Sequence, residues 1–486
     1  MKYVLNERFR FRGWQNLRTA LYDTRAKMPL FLPKDQFILL MRCDGAHETD
    51  EDLLTEKERE FLKTSAERGV IRPAGFGEFL RPEQEYKVYP ALYKKQAHWS
   101  ITGACNLKCR HCFMSAPHAR HGAPTHEQII AIADQLAECG VFQVGLTGGE
   151  PLIREDFLEI VDALNEREIG IDVIYTNGWL VDEKLLDELD RRHVHPPFQL
   201  SYDGVGWHDF LRGVPGAEEK TLQALKLLQE RKYRVSAAMC MHRRNRDTLR
   251  ETVNLLASLG VRSLKCGSMM ELGEWMSDDL LDLHLTGEEE LEAFEKYIPQ
   301  YFEDGAPLSL MLAGAFMYTP GDPEWTCFYH KECPAGEERR MLSCGVLHNN
   351  FYIGAEGMIC PCMGMADCGY AKHFPNLFET PLKDILRADS DFIRLCETRV
   401  GDIRDHNPKC RECRYADRCT GGCRNGALMA GDDYYGIDPG MCRFFENNGE
   451  ERIRAAAGDA FAAYLKRNPP RERKVPPQKN SAEDCP

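Results

Sequence analysis

Two groups of cysteines have spacings that could bind metal. In the first, Cys105, Cys109 and Cys112 follow a Cys-x3-Cys-x2-Cys pattern. Three thiolates on one tight loop can hold three irons of a cubane iron–sulfur cluster, and the fourth iron is then free to bind a small molecule. A zinc site is the alternative, but a closed structural zinc site requires four ligands and no fourth cysteine lies nearby. The pattern therefore favours a cluster with an open iron.

The second group lies between Cys344 and Cys442, where ten of the 20 cysteines fall. It contains a Cys-x12-Gly-x4-Cys pattern, then a Cys-x2-Cys-x5-Cys-x3-Cys pattern and a final cysteine: Cys344, Cys362, Cys410, Cys413, Cys419, Cys423 and Cys442. The four cysteines of the second pattern could form a tetrahedral zinc site by themselves. Such a zinc site would leave Cys344, Cys362 and Cys442 without a role.

Composition agrees with an intracellular metalloprotein of several domains. The chain has 486 residues, 43% of them hydrophobic, and a net charge of −14, which argues against nonspecific binding to nucleic acid. Apolar runs such as 37–41 and 310–317 fall well short of the roughly 20 residues that a membrane span needs. The opening MKYVLNERFRFRGW lacks the apolar stretch of a signal peptide. We therefore expect a cytoplasmic protein whose cysteines bind metal instead of forming disulfides.

Short β-branched segments alternate with longer amphipathic segments from about residue 99 onward, which predicts parallel strands joined by helices. Thr125 and Gln128 form a capping-box pattern before one of these helices. The resulting α/β domain is a partial (β/α)6 TIM-type barrel, in which chemistry occurs at the carboxyl ends of the strands. We expect the strands at 99–102, 142–147, 171–176, 198–202, 235–241 and 261–265.

Short polar motifs follow the first four of these strands. The cysteine pattern comes after the first strand and Gly148-Gly149-Glu150-Pro151 after the second. The third strand ends in Tyr175-Thr176-Asn177-Gly178, and the fourth in Gln199-Leu200-Ser201-Tyr202-Asp203-Gly204. In this order the motifs resemble those of the radical S-adenosylmethionine (SAM) superfamily.

The resemblance implies a SAM-binding site at the carboxyl end of the barrel. The three cysteines would hold a [4Fe-4S] cluster, Glu150 and the backbone around it the methionine amino group, Ser201 the ribose, and Arg212 the carboxylate. An arginine fork suits a carboxylate. The residues implied in SAM binding are Gly148, Gly149, Glu150, Asn177, Ser201, Asp203 and Arg212.

The same resemblance implies a radical reaction. The reduced cluster would cleave SAM to methionine and a 5′-deoxyadenosyl radical, which abstracts hydrogen from an unactivated C–H bond, while the barrel orients the reactants and excludes water. No residue of the chain is assigned as a catalytic acid, base or hydrogen donor. A flavodoxin or ferredoxin would supply the electron.

The second cysteine group resembles the SPASM domain, an auxiliary-cluster module of radical SAM enzymes that modify peptides and proteins. The resemblance implies two auxiliary [4Fe-4S] clusters, and hence three clusters in all. Cys344, Cys362 and Cys423 would bind the first, and the second would be bound by Cys410, Cys413, Cys419 and Cys442. A fourth ligand of the first auxiliary cluster stays open among Cys327, Cys333, Cys360 and Cys368.

The N-terminal segment differs from the barrel. Its apolar run ends in Cys43-Asp44-Gly45, a capping-box pattern at Thr55 and Glu58 opens a helix, and a short strand is expected at 69–71. It resembles the winged-helix-like PqqD domain, which binds leader peptides of ribosomally made, modified peptides; a cap that packs on the barrel is the alternative. We expect a peptide-binding domain at 1–92, the barrel at 93–320, the SPASM domain at 321–450, and a helix with a disordered tail at 451–486.

These resemblances predict an enzyme that modifies a precursor peptide by forming a thioether, a C–C or C–O cross-link or an epimerised residue, or by cleaving the backbone. A sulfatase-maturing type of protein oxidase is one alternative. In that class, by resemblance, an acidic residue follows the second SPASM cysteine, whereas Met363 stands there and Asp367 lies four residues on. A non-catalytic iron–sulfur or zinc scaffold that binds peptides is the other alternative.

Overall fold

The N-terminal unit contains two small sheets and two helices. The computed structural model describes residues 1–16, 18–116, 120–269 and 271–470. The first elements are β1 (Lys2–Leu5), β2 (Phe9–Gly13), β3 (Thr19–Asp23), β4 (Met28–Phe31), α1 (Lys34–Met41), β5 (Asp44–Glu48), α2 (Glu56–Glu67), β6 (Ile71–Pro73) and β7 (Lys87–Val88). One sheet has the order β5-β1-β6 and the other β4-β3-β2-β7. The four strands before α1 were not expected from the sequence.

This unit has its own core and also packs on the barrel. Phe11, Phe37 and Leu62 are among the buried apolar residues that the two sheets and helices share. The capping box at Thr55 and Glu58 is confirmed, since it opens α2. The ring of Tyr22 stacks on Phe142 of the barrel with centroids 4.0 Å apart. A role as a structural cap is therefore compatible with the contacts.

The barrel consists of parallel strands with helices on their outer face, followed by one antiparallel strand at Phe316–Tyr318. Its elements are β8 (Gln96–Ser100), α3 (His126–Glu138), β9 (Gln143–Thr147), α4 (Phe157–Glu166), β10 (Gly170–Thr176), α5 (Glu183–Arg191), β11 (Phe198–Ser201), α6 (His208–Arg212), α7 (Ala217–Glu230), β12 (Val235–Met241), α8 (Leu249–Ser258), β13 (Ser263–Ser268), α9 (Gly287–Glu303), β14 (Ser309–Leu312) and β15 (Phe316–Tyr318). The central parallel sheet of the predicted α/β fold is confirmed, and each of the six expected strands is present within three residues of its expected bounds. The capping box at Thr125 and Gln128 opens α3.

The C-terminal region contributes to the same sheet and adds a series of short helices. It contains α10 (Gly345–Asn349), β16 (Asn350–Ile353), β17 (Ile359–Cys360), α11 (Leu382–Ile385), α12 (Asp391–Cys396), α13 (Val400–His406), α14 (Pro408–Arg411), α15 (Arg424–Gly431), α16 (Pro439–Glu446) and α17 (Gly449–Arg467). The sheet order is β15-β14-β13-β12-β11-β10-β9-β8-β16-β17. Strand β16 pairs in parallel with β8, so the cysteine-rich region is joined to the barrel through the strand that precedes the first cysteines.

The sheet therefore has two parallel strands beyond the six expected. Strand β14 follows β13 on one side and β16 follows β8 on the other. Both are four residues long, too short for a periodic pattern to identify. The tail that we expected to be disordered lies, from residue 471 onward, outside the described residues.

Candidate active site

The first three cysteines lie in the loop that follows β8, at the carboxyl edge of the sheet. Two other loops hold this loop: Arg110 N donates to Leu211 O at 2.8 Å, and Glu274 N donates to Cys112 O at 3.0 Å. The pKa of the Cys105 thiol is raised to about 12, chiefly by burial and in smaller part by the charges of Cys109, Glu150 and Cys112. The three thiols are thus brought together with Glu150 beside them.

The two glycines of the second motif allow backbone to approach backbone. A Cβ atom on Gly148, whose φ is +149°, would lie 2.3 Å from Thr102 O, and one on Gly149 would lie 2.1 Å from Ala104 O. Gly149 N donates to Thr102 O at 2.8 Å, which ties the motif to the start of the cysteine loop. The close approach is to the cysteine loop itself, so any larger residue would push the two loops apart.

Glu150 is buried and held by donors from two loops. One carboxylate oxygen accepts from Thr176 Oγ1 at 2.8 Å and from Leu152 N at 3.2 Å, and the other accepts from Asn177 N at 2.8 Å. Burial raises the pKa of Glu150 to about 7, although these hydrogen bonds oppose the shift. The carboxylate is fixed in one orientation because both of its oxygens are bonded.

Asn177 connects the third strand to the cysteine loop. Its Nδ2 donates to Asn106 Oδ1 at 2.8 Å and lies 4.0 Å from Cys105 Sγ. Its Oδ1 accepts from Trp179 N at 2.9 Å, which fixes the orientation of the amide. Ser201, at the end of β11, is partly exposed on the inner face of the sheet.

Asp203 and Arg212 form a buried ion pair next to Cys109. The Asp203 Oδ2 to Arg212 Nε distance is 2.7 Å, and Arg212 Nη1 lies 3.7 Å from Cys109 Sγ. Burial opposes ionisation of Asp203, but the Arg212 guanidinium outweighs it and holds the pKa of that carboxyl well below its usual range. His208 Nδ1 accepts from Asp203 N at 3.0 Å. Arg212 is therefore positioned by Asp203 and presents its Nη1 to the thiol.

His111 and Cys240 also lie at this site, although neither was assigned to it from the sequence. Their ligand atoms and a carboxylate oxygen of Asp203 all lie within 4.8 Å of one another. Burial lowers the pKa of His111 to about 4, so the imidazole is neutral at neutral pH. The three residues come from a loop, the end of β11 and β12, so sequence spacing does not reveal their contact. One feature of the sequence could have indicated this contact: Cys240 is a cysteine at an inward-facing position of a predicted parallel strand.

The four cysteines implied for the second auxiliary cluster line one cavity. This cavity has a volume of about 50 Å³ and contains Cys410, Cys413, Cys419 and Cys442 in its wall. The pKa of the Cys419 thiol is raised to about 11, chiefly by burial and in smaller part by the charges of the other three cysteines. A zinc site formed by the Cys-x2-Cys-x5-Cys-x3-Cys pattern would need Cys423, but Cys423 does not line this cavity. Four converging sulfurs fit an iron–sulfur cluster.

Cys344, Cys362 and Cys423 form a separate set. The pKa of the Cys362 thiol is raised to about 12, chiefly by burial and in smaller part by the charges of Cys423 and Cys344. Cys344 precedes α10 and Cys423 precedes α15, so residues far apart in the chain are joined at this point. The three sulfurs are a donor set that fits a cluster.

The four candidates for a further ligand have different local contacts. Cys360 and Cys368 belong to the apolar cluster that contacts Cys344 and Cys362, and their thiols lie 3.2 Å from Cys362 O and 3.1 Å from Met365 O. Cys327 Sγ lies 3.8 Å from Gly314 O, and Cys333 N donates to Asp417 O at 2.7 Å. The geometry does not select one of them.

Asp438 connects the two C-terminal cysteine sets and was not identified from the sequence. Its Oδ2 accepts from Cys423 N at 2.8 Å, and its Oδ1 accepts from Gly440 N and Met441 N at the start of α16, which carries Cys442. Asp438 thereby fixes the spacing of the two sets. An aspartate before Pro439 is a helix-capping signal that could have been read.

Asp367 has a structural partner in the cysteine loop region. It forms an ion pair with Arg120 at 3.2 Å, and its side chain is 9% exposed. The neighbouring pair His121 and Glu356, 3.2 Å apart, joins the same two segments. Asp367 is therefore engaged in an ion pair, and the position directly after Cys362 is held by Met363.

Comparison with protein families identifies two domains. A model described as the radical SAM superfamily matches residues 99–256, and the SPASM model, described as an iron–sulfur cluster-binding domain, matches residues 344–414. The described helices include none that is long and apolar enough to cross a membrane.

Several curated proteins align with most of the chain. PqqA peptide cyclase of Granulibacter bethesdensis is 26% identical over 76% of this chain and 92% of its own length. An AdoMet-dependent heme synthase of Methanosarcina barkeri is 25% identical over 70% of this chain and 94% of its own. Mycofactocin maturase MftC of Mycobacterium tuberculosis is 27% identical over 70% of this chain and 81% of its own.

Among solved structures, Streptococcus suis SuiB bound to its precursor peptide SuiA has the same fold. The match covers 91% of this chain and all of SuiB, with a TM-score of 0.60 and 16% identity. The two domain matches agree with the motifs at the carboxyl ends of the strands. The chain therefore carries a radical SAM domain at residues 99–256 and a SPASM iron–sulfur cluster-binding domain at residues 344–414.

Proposed function

We propose that this protein is a radical SAM enzyme that modifies a ribosomally made precursor peptide. The observation that carries the proposal is the arrangement of ten cysteines in three sets, one at the carboxyl end of the barrel and two in the C-terminal region. When bound, the reduced cluster and SAM together supply the 5′-deoxyadenosyl radical that removes hydrogen from a C–H bond. The protein's own residues bind and orient the reactants and exclude water.

In this proposal Cys105, Cys109 and Cys112 hold the SAM-binding cluster. Glu150 offers a fixed, buried acceptor for the methionine ammonium, because Thr176 and Asn177 hold its carboxylate in place. Arg212 has Asp203 as its counter-ion through Nε, which leaves its other nitrogens to donate to an anion. A guanidinium that is already paired costs less to keep buried.

The seven C-terminal cysteines hold two auxiliary clusters in this proposal. Asp438 maintains the spacing between the two cysteine sets. The clusters would exchange electrons with the substrate radical or, if an iron is open, bind the substrate. Flavodoxin or ferredoxin remains the proposed reductant.

The proposed peptide substrate is supported by the relatives and by the surface of the N-terminal unit. Of the 18 large apolar side chains that are exposed in the described part of the chain, 11 lie within residues 1–92. Phe76 is fully exposed and Phe79 is 59% exposed. Exposed apolar groups concentrated in one unit are typical of a protein-interaction surface. We infer that this unit, 1–92, binds the leader of the precursor peptide.

The leader would bind chiefly through these apolar side chains. Strand addition at β5 is restricted, since Asp44 Oδ1 accepts from Ala46 N and His47 N at 2.8 and 2.9 Å, and Leu80 N donates to Asp44 O at 3.0 Å. Backbone groups of β5 are thus already bonded within the unit. Side-chain recognition then carries more of the proposed affinity.

The test uses the short peptide encoded beside the gene or the peptide that copurifies with the protein. The anaerobically reconstituted protein is incubated with this peptide, SAM and a reductant, and the product is analysed by mass spectrometry. A cross-link is expected to remove two hydrogens, and an epimerisation in D2O to add one deuterium without other change. Unmodified peptide, despite complete cluster content and SAM cleavage, would contradict the proposed substrate class.

A further inference from the structure

The inner face of the parallel sheet is open to solvent along its central strands. On β11, β12 and the part of β13 up to Cys266, every second residue is at most 3% exposed and packs in the core between the sheet and the outer helices, as Leu200, Ala237 and Leu264 do. The residues between them point to the opposite face, because side chains alternate along a strand. These inward residues are partly or fully exposed and mostly polar or small: Gln199, Ser201, Ser236, Ala238, Cys240 and Lys265. The barrel thus contains an accessible polar cavity.

Lys265 is the strongly charged residue of this inner row. It lies on β13 between Leu264 and Cys266, both of which are buried in the core. It pairs with Ala238 of β12, which in turn pairs with Ser201 of β11. Lys265 therefore lies in the same row of the barrel as the proposed ribose contact.

The charge of Lys265 acts on groups of three other segments. Burial lowers the pKa of His98 on β8, and Lys265 lowers it further while Asp172 opposes. Burial also raises the pKa of the Cys240 and Cys362 thiols, and Lys265 opposes both shifts. Cys240 lies beside the Asp203–Arg212 pair, and Cys362 belongs to the first auxiliary set. The strand register places Lys265 in one row with Ala238 and Ser201, beside the proposed SAM site.

Lys265 has no carboxylate within ion-pair distance among the described residues. Its strand neighbours Ala238 and Met311 are uncharged. His98 is engaged with Tyr175, whose hydroxyl lies 3.1 Å from His98 Nε2. Water can solvate the ammonium while the cavity is open, but a bound peptide would displace that water. An ammonium that loses its water requires an anionic partner.

We propose that Lys265 binds a carboxylate of the peptide substrate, either an aspartate or glutamate side chain or the C-terminus. This inference rests on the proposed function and names a chemical feature of the substrate. The bound carboxylate would place the neighbouring residues of the peptide beside the proposed SAM site. Lys265 is a substrate-binding residue in this account, since an ammonium with three donors provides charge and hydrogen bonds for a carboxylate.

The experiment measures binding without turnover. Three alanine-based pentapeptides with a neutral fluorophore are titrated into the reconstituted, unreduced, SAM-bound protein, and fluorescence anisotropy is recorded. One peptide carries a central glutamate and a C-terminal amide, one a central glutamine and an amide, and one a central glutamine and a free C-terminus. We expect at least one carboxylate peptide to bind about 10-fold more tightly than the neutral peptide. The carboxylate that confers this preference identifies the source.

Lys265→Met is expected to remove the preference, and Lys265→Arg to retain most of it. Lys226→Met on the exposed surface of α7 is the matched control and should bind like wild type. Iron content and the visible spectrum show that each variant is intact. Equal binding of all three peptides to wild type, or an unchanged preference in Lys265→Met, would overturn the inference. SAM cleavage measured on the same preparations distinguishes this failure from failure of the proposed function.

Discussion

Glu150 and Arg212 illustrate how single residues of the proposed SAM site depend on partners from other loops. Glu150 is oriented by Thr176 and Asn177 of the next strand, and Arg212 by Asp203. The sequence motifs made Glu150, Asp203 and Arg212 candidates for SAM binding, because motif residues lie close together in the chain. They did not identify the contacts of His111 and Cys240 with Asp203, which depend on how three separate segments meet.

Replacing Glu150 with glutamine should weaken SAM binding. The NH2 group of glutamine is a donor and would face either the Asn177 N–H or the Thr176 hydroxyl, which now donate to the carboxylate. The ammonium of SAM would also lose a charged partner. We expect the dissociation constant of SAM, measured by equilibrium dialysis, to rise at least about 10-fold with iron content unchanged. Glu155→Gln, at an exposed position of the same loop, is the control. Wild-type affinity in Glu150→Gln would remove Glu150 from the SAM site.

At the scale of secondary structure, prediction succeeded where the local pattern was long and periodic. The strand Val235–Met241 has the predicted bounds, and the capping boxes at Thr55 and Thr125 open helices as expected. Strands β14 and β16 were missed because four-residue segments are held in the sheet by neighbouring strands and not by their own pattern. The inward position of Lys265 could not be recognised before the sheet register was known.

The cysteine sets should lose clusters independently. If three cubane clusters are present, the anaerobically reconstituted protein contains about 12 irons. We expect Cys413→Ala and Cys362→Ala each to lose about four irons, with different changes in the electron paramagnetic resonance spectrum, because the two residues lie in separate sets. Cys396→Ser, at a buried cysteine outside all three sets, is the control. About four irons and one zinc in the wild type would refute the auxiliary clusters.

The contact between His121 and Glu356 should stabilise the protein in a pH-dependent way. The hydrogen bond that protonated His121 donates to the Glu356 carboxylate raises the pKa of His121 in the folded protein above 6.5. The stabilisation is therefore fully present below pH 6.5 and is lost as the pH rises through the folded-state value. His121→Gln should cost about 0.5 kcal/mol at pH 6 and nothing at pH 9, measured by anaerobic thermal unfolding.

Glu356→Gln provides the control for this pair. It should have the same effect as His121→Gln, and the double variant should be no less stable than either single variant. Additive losses would show that the two residues act separately.

For the whole molecule, the parallel sheet joins the first cysteine loop to the C-terminal cysteine sets. Strand β8 leads into the first loop, and its neighbour β16 leads towards Cys362. The inner face of the same sheet carries Lys265. The N-terminal unit packs on the barrel and carries most of the exposed large apolar side chains of the described residues.

Removing apolar side chains from the N-terminal unit should reduce peptide capture without affecting SAM chemistry. We expect Phe76→Ser together with Phe79→Ser to lower the amount of copurified precursor peptide about 10-fold, because exposed aromatic residues often dominate binding. Phe378→Ser, at an exposed phenylalanine of the C-terminal region, is the control. Unchanged peptide capture in the double variant would assign these side chains a different role.

The formation of 5′-deoxyadenosine tests the central claim most directly. Anaerobically reconstituted protein is reduced with dithionite in the presence of SAM, and the nucleoside is quantified by chromatography and mass spectrometry. We predict 5′-deoxyadenosine and methionine in equal amounts from the wild type, and none from Cys105→Ala, Cys109→Ala or Cys112→Ala. Reduced wild-type protein with a complete iron content that binds SAM but releases no 5′-deoxyadenosine would contradict the assignment of a radical SAM reaction.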